Sequence, residues 1–442
     1  MLEKARDIKI ITLSFLALII IGAILLLLPI AHRGTLQIID AFFTATSAVC
    51  VTGLNVKNTA LDFTLFGQIV ILILIQIGGL GYMSATTFLF IMLGKRITYR
   101  DRLALKTSMS YDGMKGIIHF LKIVFLTTVS LEILGAAILT ARFCIDMPFT
   151  QALWFGIFHS ISAFNNAGFS LFTDGMIRYQ GDVIINIVLP VLIICGGLGY
   201  LVVIELFHMY RHQVTRLSTH TKIVLWSSLI LTLGAMFLLL SLEWDRALGD
   251  LSWYDKIMAA WFTAVNYRTA GFNTIELSSL SDANLFFGAF FMMIGGAPGG
   301  TAGGLKVTVI ALALIGMWDT FRGRSHSTIF HRSIDPYQIS KAHAIIMVGF
   351  TYVLLSTVIL VEFERLPFLP TFFEVCSAFG TVGASIGNGG VLSHSALLSD
   401  IGKSNMIVLM FIGRIGVFAF TMIMIGNKKQ SRIRYAEGRI IV

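Results

Sequence analysis

Four times along this chain, a short apolar run ends at a glycine that is followed by another apolar residue. The glycines, spaced by 115, 103 and 112 residues, are Gly53, Gly168, Gly271 and Gly383. Aligned on them, three copies carry Ser-Ala at the same two positions, which are Ser47-Ala48, Ser162-Ala163 and Ser377-Ala378. A fourfold repeat of this kind in an apolar chain predicts four similar units around one axis. In a membrane, such an axis indicates a pore.

The composition places the chain in a membrane. Of its 442 residues, 56% are hydrophobic and only 13% are charged, whereas a soluble domain carries roughly 25% charged residues. This much apolar sequence cannot be hidden in a water-soluble core. The net charge of +9 is also compatible with nucleic-acid binding, but the placement of the basic residues favours a topology signal, and we predict no nucleic-acid partner.

Long and short apolar runs alternate. A spanning helix needs roughly 20 apolar residues, and runs of roughly 10–14 are more often re-entrant. Long runs lie at 8–30, 63–93, 117–143, 182–210, 220–243, 284–318, 340–362 and 402–426, with short runs between the members of each pair at 38–50, 150–164, 254–267 and 369–380. We predict an all-α integral membrane protein of four helix–pore helix–helix repeats, pseudo-fourfold around a central pore. It would have eight transmembrane helices and four re-entrant pore helices, in repeats 1–93, 94–210, 211–318 and 319–442.

The basic residues predict the orientation of these helices. The side that holds both termini and the loops 94–116, 211–222 and 319–341 collects 21 lysines and arginines, against 8 on the other side. Because short loops rich in Lys and Arg stay in the cytoplasm, both termini are expected in the cytoplasm. The other side is relatively acidic, which fits either a pore mouth that concentrates cations or ordinary solvated loops.

The repeated glycine stretches predict a selectivity filter. A dehydrated alkali cation needs a ring of carbonyl oxygens, and successive carbonyls point the same way only where a residue adopts positive φ, which glycine does freely. The alternative is that these glycines are close-packing sites between helices, but four in register favour a filter. The expected cation ligands are carbonyls of Val51, Thr52, Gly53, Asn166, Ala167, Gly168, Thr269, Ala270, Gly271, Thr381, Val382 and Gly383. Since the quarters differ in sequence, we expect an uneven ring and looser selectivity.

A second constellation lies 24 to 30 residues after each filter glycine, in pieces such as Gly78-Gly79-Leu80-Gly81. In the third repeat the segment 295–304 has six glycines and a proline, so it cannot remain helical. It is predicted to be a gate beneath the filter, with a passive kink as the alternative. In the fourth repeat Arg414 takes a glycine position, where it either repels cations and holds the gate or forms a structural ion pair. The expected gate residues are Gly295, Gly296, Gly299, Gly300, Gly303, Gly304 and Arg414.

Other ionisable residues in the apolar runs are few. Arg268 is expected behind the filter, with Glu374 as a candidate partner, because a guanidinium in the ion path would block cations. The acids Glu132, Glu205 and Glu362 are expected at the membrane interface. Enzyme chemistry finds no support, since His159 has no plausible Ser or Asp partner and the cytoplasmic histidines lack metal-ligand spacing.

With these motifs assembled, the chain resembles the Trk/Ktr/HKT superfamily of potassium transporters. The resemblance is carried by Val-Thr-Gly-Leu at 51–54, Asn-Ala-Gly-Phe at 166–169, Arg-Thr-Ala-Gly-Phe-Asn at 268–273, the glycine-rich segment and Gly-Arg-Ile-Gly at 413–416. It covers nearly the whole chain. Because the chain starts directly on the first repeat, it is most similar to the KtrB-type membrane subunit. The chain departs from the family pattern at two places. One is Cys50, where threonine is frequent in the family, and the other is the variant sequence Ala297-Pro298-Gly299-Gly300 in the gate.

The resemblance implies a K⁺ uptake subunit that is a homodimer in the membrane and is gated by a cytosolic ring of nucleotide-binding subunits of the KtrA/TrkA type. It implies that family filter glycines correspond to Gly53, Gly168, Gly271 and Gly383, and the family pore arginine to Arg414. No cofactor is expected in this chain, only K⁺, with Na⁺ as a further transported or regulatory ion. Two alternatives stay open, a less selective Na⁺/K⁺ channel and an ion-coupled secondary transporter whose broken helix is the substrate site.

Overall fold

The computed structural model of the chain describes residues 2–81, 117–212, 215–324, 326–387 and 392–425. The basic loop expected at 94–116 and the basic C-terminal stretch from 426 onward lie outside these residues. The described part is helical, apart from a small antiparallel pair of strands, β1 (Thr328–Ile329) and β2 (Arg332–Ser333). Its α-helices are α1 (Leu2–Leu26), α2 (Ile38–Val49), α3 (Leu65–Leu80), α4 (Ile117–Phe143), α5 (Phe149–Phe164), α6 (Val183–Gly197), α7 (Tyr200–Tyr210), α8 (Thr219–Glu243), α9 (Trp253–Asn266), α10 (Asp282–Met293), α11 (Val307–Phe321), α12 (Pro336–Glu364), α13 (Phe368–Gly380), α14 (Asp400–Ile415) and α15 (Val417–Ile425).

Long outer helices open the four quarters of the chain. Within the described residues, α1, α4, α8 and α12 are long and apolar enough to cross a membrane, and between 22% and 33% of their spanning windows is buried. The remaining apolar side chains face outward, as expected of helices in contact with lipid. Two bent helix pairs raise the possible number of spans among these residues to six, against the eight expected.

Short helices fill the interior. α2, α5, α9 and α13 agree to within one residue with the short apolar runs found in the sequence. Their inner faces are fully buried, with Phe43, Phe164, Phe262 and Phe373 at 2% exposure or less. Burial of a helix this short and this apolar fits a segment surrounded by longer helices rather than one that crosses a membrane.

In the first, second and fourth quarters, the second helix ends or bends at a glycine, whereas α10 in the third ends at Met293 with Ile294 as its C-cap. α6 and α7 meet at a 105° bend and α14 and α15 at a 107° bend, with Gly199 and Gly416 in the breaks at φ values of +84° and +95°. α3 likewise stops just before Gly81, whose φ is +79°. The long apolar runs 182–210 and 402–426 are therefore each divided into two helices, a break that the sequence analysis had not identified. Only glycine adopts this backbone without strain, so one glycine is enough to end each helix.

A recurrent tie joins the first and second helices of every quarter. The N-cap residue of the second helix, an oxygen-bearing side chain in each case, bonds to the last turn of the first helix or, in the first quarter, to Ile30 in the turn that follows α1. N-cap oxygens also accept from the first free backbone N–H groups of their helices, which stabilises the helix starts. The pairs are Ile30–Thr64, Arg142–Asp182, Glu243–Ser281 and Glu364–Ser399. The sequence analysis had not identified this frame.

Candidate functional site

The four glycine stretches meet as a closed ring in chain order. A Cβ added to Gly53 would lie 3.0 Å from Gly168 Cα, and one added to Gly168 would lie 2.7 Å from Gly271 Cα. The ring continues from Gly271 to Gly383 Cα at 3.5 Å, and closes from Gly383 to Gly53 Cα at 2.9 Å. No side chain fits at any of these positions, so the glycines are required by close approach as well as by conformation.

Backbone carbonyls occupy the gaps between neighbouring glycines. The oxygen that each Cβ would meet belongs to the residue before the adjoining glycine, namely Ala167, Ala270, Val382 or Thr52. Each loop thus places a carbonyl beside the next loop, all the way round. An arrangement of this kind supplies several oxygen ligands to one axis, as a site for a dehydrated cation needs.

A second position of unusual backbone accompanies each glycine. Two residues before it, Val51, Asn166, Thr269 and Thr381 have φ values of +58°, +59°, +71° and +51°. Positive φ is a genuine outlier for a β-branched residue, and such strain persists only where the surroundings over-determine it. The same two positive-φ positions recur in all four loops. Sequence reasoning expected positive φ at the glycines alone, and of the four residues only Asn166 is of a type that favours it.

Hydrogen bonds at the ends of the short helices hold this backbone. The residue before the glycine donates its N–H to the serine carbonyl of the repeated Ser-Ala pair. These bonds are Thr52 to Ser47 at 2.8 Å, Ala167 to Ser162 at 2.7 Å and Val382 to Ser377 at 2.8 Å. The third loop lacks the Ser-Ala pair, and there Ala270 donates to Asn266 at 3.0 Å, one residue later in the register. The third loop is therefore the least regular of the four.

A small, partly open cavity of about 30 Å³ lies beside the ring. Its lining includes the residue two places after each ring glycine, and that residue is polar in every quarter: Asn55, Ser170, Asn273 and Ser385. Sequence reasoning missed this polar rim, although aligning the four stretches two residues further would have found it. The rim offers amide and hydroxyl groups to an ion that approaches the ring.

The glycine-rich segment between α10 and α11, residues 294–306, is non-helical and folds back on itself. Gly295 donates its N–H to Leu305 O at 2.9 Å, and Val307 donates to Gly296 O at 3.1 Å. Its ends are therefore paired like two short strands, which satisfies backbone groups that the broken helix leaves free. The expectation of a non-helical segment here is confirmed.

The same segment is bonded to the second and fourth quarters. Ala297 donates to Gly197 O at 2.9 Å, and Gly299 O accepts from the N–H of Tyr200 at 3.1 Å. Gly304 donates to Gly413 O at 3.2 Å. Most of the segment is buried, whereas its turn at 298–300 is partly exposed.

The segment lies directly against the ring. A Cβ on Gly303 would lie 3.1 Å from Thr381 Cβ, and one on Gly304 would lie 3.2 Å from Gly380 Cα. The Thr301 hydroxyl donates to Asn166 Oδ1 at 2.8 Å. The segment therefore contacts the second and fourth loops.

Arg414 joins this segment to the first quarter. Its guanidinium donates to the carbonyls of Thr301, Gly78 and Gly79, the last at 3.2 Å. Among the described residues, no carboxylate lies within 4.0 Å of it. Arg414 therefore forms no ion pair with any described residue, unlike the alternative of a structural ion pair. It binds backbone oxygens instead. Lys306 acts in the same way within the segment, donating to Ala302 O at 2.5 Å.

Two expectations about buried charges were wrong. Arg268 does lie behind the ring, but it donates to Ser228 at 2.9 Å, whereas Glu374 accepts from the Ser395 N–H and hydroxyl at 2.9 and 2.6 Å. The two residues therefore have separate partners. Glu132, expected at the membrane interface, is buried inside the protein at 7% exposure. Two amide side chains from other elements donate to its carboxylate there.

Comparison with known proteins agrees with the class of protein that this fold defines, a multi-pass membrane protein. Residues 2–433 match the family described as "TrkH: Cation transport protein". The chain belongs to this family, which consists of transport proteins and not of enzymes.

Relatives match the chain over nearly its whole length. It is 39% identical over 434 residues to the Ktr system potassium uptake protein B of Bacillus subtilis, covering 98% of this chain and 96% of that protein. It is 34% identical to the potassium/sodium uptake protein NtpJ of Enterococcus hirae, covering 100% and 98%. The crystal structure of the potassium transporter TrkH from Vibrio parahaemolyticus has the same fold, with a TM-score of 0.73 at 21% identity over 95% of this chain and 85% of that chain.

Proposed function

We propose that this chain is the ion-translocating membrane subunit of a bacterial K⁺ uptake system of the Trk/Ktr type. The observation that carries the proposal is the closed ring of four loops with positive φ at equivalent positions. The similarity to the Ktr system potassium uptake protein B along the whole chain supports K⁺ as the ion. Ions would pass through the ring down their electrochemical gradient, driven by the membrane potential.

The ring is the proposed selectivity filter. Carbonyls of the three residues that end each loop, 51–53, 166–168, 269–271 and 381–383, would replace the hydration shell of K⁺. In support of this, none of the four glycines has room for a side chain and the carbonyls lie between them. Around this ring we propose the eight-helix, pseudo-fourfold arrangement of the repeats 1–93, 94–210, 211–318 and 319–442.

The glycine-rich segment and Arg414 are the proposed gate. The segment lies against two of the four loops, and Arg414 fixes it through Thr301 O. A cationic side chain beside the path would also oppose K⁺ passage by Coulomb repulsion, which is strong in a region shielded from water. Moving the segment and Arg414 aside would open the path.

A cytosolic regulatory subunit of the KtrA/TrkA type, arranged as a nucleotide-binding ring, is the proposed controller of this gate. The printed name of the Bacillus subtilis relative assigns that protein to a Ktr system, as its component B, which supports a multi-component assembly. We further propose a homodimer in the bacterial inner membrane with both termini in the cytoplasm, as the excess of basic residues on that side indicates.

The test is K⁺ uptake by a bacterium that lacks its own K⁺ uptake systems. We expect the chain expressed with a KtrA-type subunit to restore growth at low external K⁺, and the chain alone to give slower or unregulated uptake. A chain that inserts into the membrane but leaves K⁺ uptake at the background level under both conditions would contradict the proposal.

A less selective Na⁺/K⁺ channel is the second candidate. It is favoured by the irregular third loop, where Ala270 bonds to Asn266 rather than to the carbonyl one residue earlier, and by the similarity to a potassium/sodium uptake protein. Reversal potentials in K⁺ and Na⁺ gradients decide between the two, because equal permeabilities would support the second candidate.

A further inference from the structure

Thr301 has the one side chain between residues 295 and 304 that can form a hydrogen bond. It is fully buried, and each of its polar groups is used. Its N–H donates to Gly196 O at 3.2 Å, its carbonyl accepts from Arg414, and its hydroxyl donates to Asn166 Oδ1 at 2.8 Å. Thr301 therefore connects the glycine-rich segment to two other quarters of the chain, the second through Gly196 and Asn166 and the fourth through Arg414.

Asn166 extends this connection across the ring. Its carboxamide nitrogen lies 3.2 Å from Thr269 Oγ1 and 3.4 Å from Arg268 O, both in the third loop. Asn166 and Thr269 are also the non-glycine residues that carry positive φ in the second and third loops. They are 1% and 0% exposed, so water cannot replace a partner that either side chain loses. Since strained backbone persists only when neighbours fix it, the Asn166 side chain is well placed to fix both loops.

We propose that Thr301 is a positioning residue for ion selection, which rests on the proposed function of the ring and the segment. Its hydroxyl holds the Asn166 carboxamide, and through it the second and third loops, so the position of the segment sets the geometry of the ring. When the segment moves, Asn166 Oδ1 loses its donor in a buried site, which is unfavourable. The coupling is reciprocal, because a change in free energy at one end appears at the other.

The matched variants Thr301→Val and Thr301→Ser separate this role from packing. Valine has nearly the shape of threonine but no hydroxyl, whereas serine keeps the hydroxyl and loses the methyl group. In purified protein reconstituted into liposomes, we expect the K⁺/Na⁺ permeability ratio of Thr301→Val to fall about fivefold, the effect of losing one ordinary hydrogen bond. Thr301→Ser should recover most of that ratio.

Thr269→Val provides a second route if Thr301→Val does not insert stably. The first loop already carries Val51 at this position with the same backbone, so the substitution is compatible with the fold. We expect Thr269→Val to lower the ratio as well, and the double variant to be no worse than the poorer single one. Additive effects of the two substitutions would overturn the proposal.

The outcomes distinguish this proposal from the function on which it rests. If Gly271→Ser lowers the K⁺/Na⁺ ratio while Thr301→Val leaves it unchanged, Thr301 is not a positioning residue and the proposed pore stands. If the unaltered chain conducts no K⁺, both proposals fail. A fall in ratio that is equal in Thr301→Val and Thr301→Ser would indicate packing and would also overturn the role assigned to the hydroxyl.

Discussion

The ring of four loops differs from the region next to it in how it uses the repeated sequence. We call that region the layer beneath the ring; it consists of the breaks at Gly81, Gly199 and Gly416, the segment 294–306, and Arg414. In the ring, residues as unlike as Val51, Asn166, Thr269 and Thr381 share one backbone conformation. In the layer beneath, similar Gly-Gly sequences lead to different structures, with bends in the second and fourth quarters and a long non-helical segment in the third.

The difference follows from which atoms each region uses. In the proposed filter the ion ligands are backbone carbonyls, so the side chains of the ring can vary as long as the conformation is kept. The layer beneath works with side chains, Arg414 and Thr301 above all, which donate to neighbouring backbone and amide oxygens. We infer that ion binding uses one backbone contribution from each quarter, whereas control of the path uses one segment and the side chains that hold it.

The contrast between the ring and the layer beneath it would be wrong if the ring tolerated a side chain at a glycine position. Gly271→Ser is the most severe test of this. The added Cβ would lie 2.7 Å from Gly168 Cα and 2.8 Å from Val382 O, at a φ of +77°. We expect the K⁺/Na⁺ permeability ratio to fall about a hundredfold, or roughly 2.7 kcal/mol. The matched control is Gly234→Ser in α8, where the nearest atom to an added Cβ is 3.9 Å away. Equal ratios in the two variants would refute the filter assignment.

Glu132→Leu tests whether the second loop depends on a buried support. The Glu132 carboxylate accepts from Gln76 at 3.2 Å and from Asn165 at 3.0 Å. Removing it leaves the Gln76 amide nitrogen without an acceptor, whereas Asn165 keeps its bonds to Gln76 Oε1 and Ile161 O. We expect a loss of about 2 kcal/mol in stability, seen as a lower midpoint of thermal unfolding in detergent. Glu132→Gln, which keeps an acceptor and the size, should lose less. Indistinguishable midpoints for the two variants would show that the carboxylate supports nothing.

Much of the ring was predictable from the sequence, because its features are local. The short helices matched their apolar runs to within one residue, and the glycines marked the positive-φ positions that close packing demands. The strained position two residues earlier was not predictable. Val51, Thr269 and Thr381 are β-branched, a type that avoids this conformation, and only the surrounding ring imposes it.

The layer beneath was less predictable, because its structure depends on contacts between distant residues. A single glycine in an apolar run lowers helix stability by about 1 kcal/mol, which is too little to predict a break. The bends at Gly199 and Gly416 were therefore not predicted. The partners of Glu132 come from 56 and 33 residues away, and those of Arg414 from 113 to 336 residues away. Sequence identified Arg414 as unusual, but could not identify which carbonyls it binds.

Arg414→Ala tests whether the lower layer restrains the path rather than supporting the ring. Losing the bonds to Thr301, Gly78 and Gly79 should free the segment and remove a positive charge, so we expect the initial rate of K⁺ uptake without a regulatory subunit to rise about fivefold, or roughly 1 kcal/mol. Deleting 299–303 should act in the same direction. The control is Arg178→Ala, an arginine paired with Asp174 outside the helices. Uptake that stays at the unaltered rate in both gate variants would contradict the gate.

Ser399→Ala probes the frame that both regions share, and its effect should be the smallest. The Ser399 hydroxyl accepts from the Gly402 N–H at 3.3 Å and donates to Glu364 at 2.5 Å, so its loss removes an N-cap and a tie between α12 and α14. We expect stability to fall by about 0.5–1 kcal/mol with the K⁺/Na⁺ ratio unchanged, because the frame holds the ring only from outside. Ser404→Ala, which removes a bond within α14 at an exposed position, should be nearly neutral. If Ser399→Ala altered the ratio as Thr301→Val is expected to, ion selection would depend on the outer frame as much as on the layer beneath the ring.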